Sequence, residues 1–202
     1  MSAGAHPSGR SDDELRAALA AAMASVAEAV RALGEDDWER PSPCDGWSVA
    51  DVVDHLVMGD VFAARVLHGA TLDESVVDLH GIGDDRAAVA RLVESSAEAA
   101  RAGFAGPLDR VVHHPVGQIS ARQFLGYRVL DQLGHAWDIR RATGQAEDFD
   151  ATALAVAVDV ALAERPMLER SEHFGTDAEA ALDDGVDALE RFLVLIGRST
   201  EG

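Results

Sequence analysis

Lysine is absent from this 202-residue sequence, and cysteine and aromatic residues are scarce. The single cysteine, Cys44, cannot form an internal disulfide, which is consistent with a cytoplasmic location. Aromatic residues make up 5% of the chain and hydrophobic residues 48%, a mixture that favours close-packed helices over a sandwich of strands. No apolar run is long enough to span a bilayer, so a membrane partner is not expected.

Acidic residues outnumber basic residues by 36 to 17, and the formal net charge is −19. A surface this acidic repels phosphate backbones, which argues against nucleic-acid binding and leaves a small-molecule substrate as the expected partner. Residues 1–10 are small and polar, without the apolar segment of a signal peptide, and we predict a disordered tail there. The length of the remainder predicts a single domain over residues 11–198.

Helix signals recur along the chain. A capping box at Ser11 opens a first helix with one apolar stripe, and Gly34 is predicted to end it at the C′ position. A second capping box at Ser48 opens a helix that should run to about Leu67. An irregular connection is predicted over 68–83, followed by a third helix capped by Asp84 or Asp85 and a short extended or hairpin segment over 108–119. The remaining predicted helices run from a capping box at Ser120 to Gly144, from Asp150 to Pro166 and from Asp184 to Ile196. The expected fold is all-α, a bundle of four principal helices with short additional helices.

The helix that begins after Ser120 carries a polar stripe. Arg128, Asp131, His135 and Asp138 follow one another at i, i+3, i+7 and i+10, so they lie on one side of the helix. Asp131 and His135 are one turn apart, and both side chains can reach a common point, which makes half of a divalent-metal site. The alternative interpretation is a solvated polar face with an Asp–His pair.

A second histidine, His55, lies inside the apolar arc of the second predicted helix. Gly59, one turn further on, leaves room beside it, and Asp51, one turn back, could hold its other ring nitrogen. The alternative is a core histidine satisfied by a neighbouring acceptor. If His55 meets Asp131 and His135 inside the bundle, two imidazoles and one carboxylate suit zinc, ferrous iron or nickel.

Three protein ligands leave open positions on a metal ion, as expected of a reactive site. The ion could polarise a carbonyl, generate hydroxide or hold a thiol as thiolate.

Two other groups are weaker candidates for functional residues. His113 and His114 are neighbours in an extended segment and face opposite ways, so at most one could be a ligand. Cys44 is interpreted as a loop residue and not as a nucleophile, because no histidine is adjacent in sequence to activate it.

Three segments carry a family resemblance. They are PSPCDGWSVADVVDHL over residues 41–56, RVLDQLGHAWDI over 128–139 with ATGQ at 142–145, and ALERFLVLIGR over 188–198. In these segments the chain resembles the actinobacterial mycothiol-dependent maleylpyruvate isomerase-like proteins of the DinB-like metal-binding superfamily. The resemblance extends from about Ser11 to Arg198, and it implies a four-helix bundle.

The resemblance also implies a set of site residues. His55, Asp131 and His135 correspond to the metal ligands, with Asp131 in a position often held by glutamate. Zinc is the first expectation for the metal, with nickel or iron as alternatives. Asp138 and Arg128 are expected to support the ligands and to contribute to cofactor binding. The implied cosubstrate is mycothiol, a low-molecular-weight thiol.

The predicted function is therefore that of a metal- and mycothiol-dependent enzyme for thiol transfer or isomerisation on a small electrophile, in which the metal binds the sulfur and presents a thiolate. The alternatives are a metal-dependent hydrolase that uses bound water and a non-catalytic metal-binding stress-response module. The isomerase itself carries an additional C-terminal domain that this sequence does not show, which argues against maleylpyruvate isomerisation itself. A homodimer formed through helix faces is compatible with the expected bundle.

Overall fold

The structure is a computed structural model, and it describes residues 8–75, 86–168 and 186–199. Most of the predicted tail over residues 1–10, the predicted caps Asp84 and Asp85, and the predicted start of the last helix at Asp184 lie outside the described residues. Of the predicted tail, Arg10 is described, and its guanidinium group donates to Asp159 and to Glu14.

The described chain is mainly helical, which confirms the predicted fold class. Its elements are α1 (Asp12–Arg31), α2 (Val49–Leu67), α3 (Leu72–Ser75), α4 (Arg86–Phe104), β1 (Val111–His114), β2 (Gly117–Ser120), α5 (Ala121–Thr143), α6 (Ala151–Leu168) and α7 (Ala188–Leu195). The two strands pair antiparallel as a hairpin, with Val111 opposite Ser120 and His114 opposite Gly117. Within these residues no helix is both long and apolar enough to cross a membrane.

Four long helices form the bundle. Helix α1 packs against α4 and α5, and α2 packs against the same two helices, so the four close a ring around a common interior. Helix α6 packs on α1 and α5, and α7 packs on α6. Helix α5 is buried on nearly every side, because its apolar residues face the bundle and its polar stripe is covered as well. The polar stripe therefore lies inside the protein.

Local sequence signals set most helix ends. Ser11 and Ser48 each accept a hydrogen bond from a backbone N–H of the first turn, and the acidic residue three positions later bonds back, which confirms both capping boxes. Ser120 caps α5 in the same way, but Gln123 does not complete that box, since its side-chain amide donates to Glu164 and Tyr127. Gly144 ends α5 in the left-handed conformation with φ 68°, as predicted.

Several predicted boundaries were wrong. Helix α1 ends with Ala32 as its C-cap, because Asp37 accepts the Gly34 N–H at 2.8 Å and starts a short 3₁₀ helix there. Helix α6 continues past Pro166 to Leu168, so this proline lies inside the helix and does not end it. The connection after α2 includes the one-turn helix α3, which was predicted as irregular.

Candidate metal centre

Three side chains from two helices meet at one end of a cavity. His55 comes from α2, while Asp131 and His135 come from α5, where their spacing of four residues stacks them on one face. The Asp131 Oδ1 atom lies 3.1 Å from His55 Nε2 and 3.4 Å from His135 Nε2. All three donor atoms lie within 4.8 Å of one another. The structure thus brings together the three side chains that the sequence singled out.

The donor set fits a divalent ion. With metal–ligand distances of about 2.1 Å, the ligand atoms of a tetrahedral site lie about 3.4 Å apart. The separations of 3.1 Å and 3.4 Å around the Asp131 carboxylate are close to that spacing. Two imidazole nitrogens and a carboxylate oxygen form the mixed set that zinc, iron and nickel accept. The assignment of these residues as metal ligands stays a prediction.

A buried ion-pair network holds Asp131 in place. The Arg128 guanidinium donates to Asp131 Oδ2 through Nη1 and to Asp60 Oδ1 through Nη2, the latter at 2.7 Å. Gln132 donates to the same Asp60 oxygen at 2.9 Å. Burial raises the pKa of Asp131, but the neighbouring charges of Arg128 and His55 outweigh it and hold that pKa well below its usual range. Asp131 is therefore an oriented carboxylate with Oδ1 turned toward the histidines.

Glycine is required where α2 passes this network. A Cβ atom added at Gly59 would overlap the Arg128 guanidinium, whose Cζ would lie 2.9 Å away. The sequence predicted that Gly59 leaves room beside His55, and the structure shows that the Arg128 side chain takes this room. The predicted role of Asp51 was wrong, because its carboxylate accepts from Ser48 in the capping box of α2.

The second nitrogen of His135 is fixed by a buried acid. Asp138 Oδ2 lies 2.8 Å from His135 Nδ1, and Arg198 Nη2 donates to the same oxygen at 3.0 Å. Burial lowers the pKa of His135, but hydrogen bonds with Asp131 and Asp138 outweigh it and raise that pKa well above the ordinary value. Because Asp138 occupies Nδ1, the Nε2 atom is the one that remains for a metal.

Cys44 lies beside this acid–imidazole pair, which the sequence analysis did not anticipate. Its Sγ atom is 3.1 Å from Asp138 Oδ2, 3.8 Å from His135 Nδ1 and 3.2 Å from Arg198 Nη2. Cys44, His135 and Asp138 form a second group with suitable spacing for a metal ion. The Arg198 guanidinium, within hydrogen-bonding distance of both the thiol and the carboxylate, would repel a second cation there. The group of His55, Asp131 and His135 is therefore the better candidate.

An aromatic ring and a cavity complete the surroundings. The Trp47 ring is stacked at 6.0 Å from the His135 ring and lies 5.1 Å from the His55 ring. A cavity of about 430 Å³ is bordered by all three candidate ligands. Its size is within the range of small-molecule sites. The candidate ligands therefore border a space that a small substrate could occupy.

The predicted supporting residues are placed beside the ligands they were expected to support. Arg128 contacts Asp131, and Asp138 contacts His135, and both side chains are almost fully buried. Their role in cofactor binding stays a prediction. His114 also borders the cavity, but neither it nor His113 belongs to a candidate metal group among the described residues.

Asp60, Arg198, Cys44 and Trp47 contact the candidate ligands or their partners but were not predicted as site residues. Asp60 lies on the buried side of α2, where no spacing rule marks a carboxylate as functional. Cys44, Trp47 and Arg198 do lie in the segments that resemble the isomerase-like proteins. That resemblance was the available signal for them.

Comparison with known proteins identifies relatives of the chain. Residues 19–140 match the family described as the mycothiol maleylpyruvate isomerase N-terminal domain. Two uncharacterized proteins of Mycobacterium tuberculosis, from strains CDC 1551 / Oshkosh and ATCC 25618 / H37Rv, are each 30% identical over 135 residues. The matched part covers 64% of this chain and 65% of each relative.

Two crystal structures share the fold. The mycothiol-dependent maleylpyruvate isomerase superposes with a TM-score of 0.57 at 15% identity, and a mutant of it with 0.60 at 14% identity. Each match covers 74% of this chain and 68% of the other. At this identity the likeness shows a common fold, while the family match covers more than half of the chain. The chain thus belongs to the mycothiol maleylpyruvate isomerase N-terminal domain family.

Proposed function

We propose that this protein is a divalent-metal-dependent enzyme that uses mycothiol as a thiol cosubstrate in a transfer or isomerisation reaction on a small electrophile. The observation that carries the proposal is the convergence of His55, Asp131 and His135 on one point at the edge of a cavity. Membership of a family named after a mycothiol-dependent isomerase supports the choice of the thiol.

The chain's own residues would hold the ion. His55 and His135 offer Nε2 atoms and Asp131 offers Oδ1, with zinc as the first expectation and nickel or iron as alternatives. A bound divalent ion would supply Lewis-acid chemistry, which lowers the pKa of a thiol or of water near it. Three protein ligands leave a position for such a cosubstrate.

The supporting residues keep this arrangement fixed. Arg128 holds the Oδ2 atom of Asp131, so that only Oδ1 faces the histidines. Asp138 holds the Nδ1 atom of His135 in the same way. Partners of this kind orient a ligand and typically change metal affinity by about 10–100-fold when they are removed. The cavity next to the ligands would hold the substrate away from bulk water.

Elemental analysis of protein purified without chelator tests the metal site. We expect about one zinc, nickel or iron per chain in the wild type and a strong loss in His55→Ala and in His135→Ala, because each removes one of three ligands. His113→Ala is the matched control, since His113 is exposed and outside the candidate group, and it should keep the wild-type metal content. Equal metal content in all four proteins would refute the site.

Cobalt substitution tests the use of the thiol. Addition of mycothiol to the cobalt-loaded protein should produce a thiolate-to-cobalt absorption band, which His135→Ala should lack. If no band appears and the protein hydrolyses amide or ester substrates, the function is that of a hydrolase acting through bound water. If neither occurs while metal is bound, the protein is a metal-binding module without turnover.

A further inference from the structure

The cavity next to the candidate ligands has mainly apolar walls. The apolar side chains that border it are Phe62, Pro115, Val116, Phe124, Leu130 and Ile196. Two of these rings, Phe62 and Phe124, meet nearly edge to face with centroids 6.0 Å apart. Walls of this kind favour a ligand with an aromatic or alkyl body.

The charged groups that border the cavity are already paired. The Arg128 guanidinium is held between Asp60 and Asp131, and the Arg198 guanidinium bonds to Asp138. Among the described lining residues, neither guanidinium is therefore left without a carboxylate partner. A substrate carboxylate would have to give up its hydration without gaining a cation of its own from these side chains, which is costly in an apolar site.

His114 adds a polar group without a charge. Its ring lies 5.0 Å from the Phe124 ring, and its Nδ1 atom accepts the Val116 N–H at 3.3 Å. A neutral imidazole that accepts at Nδ1 carries its proton on Nε2 and can donate there. Burial and, secondarily, the charge of Arg128 lower the pKa of His114 to about 4, so this ring is neutral at physiological pH.

We infer that this cavity binds an uncharged electrophile with an aromatic or alkyl body and not a carboxylate, and that His114 is its neutral hydrogen-bonding group. The inference rests on the proposed function and names the substrate class for the same site. Its basis is the combination of apolar walls, paired guanidinium groups and a neutral imidazole around one space of about 430 Å³.

Binding of two matched probes tests the inference without any measurement of activity. Benzyl alcohol and benzoate share a ring and differ in charge. Their binding is followed by NMR titration of the aromatic ring signals of the protein, as purified and again after dialysis against EDTA. We expect benzyl alcohol to bind at least about tenfold more tightly than benzoate in the EDTA-treated sample, because without a bound ion benzoate loses its hydration and meets no free cation.

A positive charge introduced at the edge of the cavity provides a second test of the inference. Val116 borders the cavity and is 56% exposed, so Val116→Arg should fold and bring an unpaired guanidinium to the cavity. We expect the ratio of benzoate affinity to benzyl alcohol affinity to rise several-fold. Val111→Arg is the matched control, since Val111 is 65% exposed on the same hairpin and does not border the cavity, and it should leave both affinities unchanged.

The outcomes separate this inference from the proposed function. Benzoate binding as tight as that of benzyl alcohol in the EDTA-treated wild type would overturn the inference, and so would a failure of both probes to bind. Neither result would alter the metal content or the cobalt–thiolate band. If the metal-content and cobalt experiments fail but benzyl alcohol still binds more tightly than benzoate, the proposed function is refuted. The inference about the ligand class of the cavity then stands.

Discussion

The Gly59→Ala substitution perturbs the network that positions the candidate metal ligands. Gly59 lies in the interior of α2, where the Arg128 guanidinium approaches the helix so closely that a methyl group would overlap it. Arg128 cannot stay in place between Asp60 and Asp131 once this methyl group is present. Asp60 is 3% exposed, so the loss of its cation leaves a buried carboxylate without a charged partner.

The expected effect is a balance of two opposing contributions. Alanine is favoured over glycine in a helix interior by about 1 kcal/mol. Disruption of a buried ion pair costs about 3–5 kcal/mol, because one charge remains buried and uncompensated. The expected net loss in the free energy of unfolding is therefore about 2–4 kcal/mol, which corresponds to a fall in Tm of roughly 5–15 °C for a chain of this size.

Urea unfolding followed by circular dichroism measures this loss, and chelator competition measures the affinity for zinc. Gly134→Ala is the matched control, because it is also a helix-interior change and its new methyl group would meet only the terminal carbon of Ile196, at 2.9 Å. That carbon can rotate away, so we expect a stability change within about 1 kcal/mol. A Gly59→Ala protein as stable as the wild type, with the same zinc affinity, would show that Arg128 does not need its observed position.

Three further predictions concern the neighbouring residues. Asp138→Asn should weaken zinc binding by about 10–100-fold in chelator competition, because His135 loses its anionic partner; unchanged affinity would contradict this. Cys44→Ser should keep the wild-type metal content, whereas loss of the metal would point to the alternative group of Cys44, His135 and Asp138. The pKa of His114 is lowered from 6.5 to about 4 in the folded protein, so the unfolded chain takes up the proton first and stability falls as the pH decreases from 6.5 toward 4. Between pH 7.5 and pH 5, the change in the free energy of unfolding should be less favourable in the wild type than in His114→Gln by about 1 kcal/mol after allowance for partial exposure, and an equal change in the two proteins would contradict this.

Much of the candidate site follows from helical geometry. The positions of Asp131 and His135 could be predicted because residues four apart on a helix lie on one face. The approach of His55 depends on how α2 and α5 pack, and neither helix alone specifies it. The family resemblance was the basis for predicting that His55 meets Asp131 and His135. The bundle itself could be predicted because apolar stripes and caps agree along most of the chain.

The remaining contacts depend on competition between hydrogen-bond partners for one side chain and on residues that are far apart in sequence. Asp51 was assigned to His55 by its position one turn away, but the capping box of α2 uses the same carboxylate, and this local interaction prevails. Cys44 and Arg198 reach Asp138 from positions 94 and 60 residues away in sequence, so no local spacing predicts their contacts. Cys44 was predicted as a loop residue and does lie in a loop, but its contacts with His135 and Asp138 were not predicted, because its sequence neighbours include no histidine.

The charges around the site bear on what can bind there. A continuous set of ion pairs passes through it, formed by Asp60, Arg128, Asp131, Asp138 and Arg198, with the imidazoles between them. These carboxylates and guanidinium groups together carry one net negative charge, which a protonated His135 balances while no metal is bound, since its pKa is raised. A divalent ion that displaced this proton, together with one monoanionic cosubstrate, would also bring the sum to zero. A carboxylate-bearing substrate would make the sum negative, so the charge balance that admits a metal and a thiol favours an uncharged partner for them.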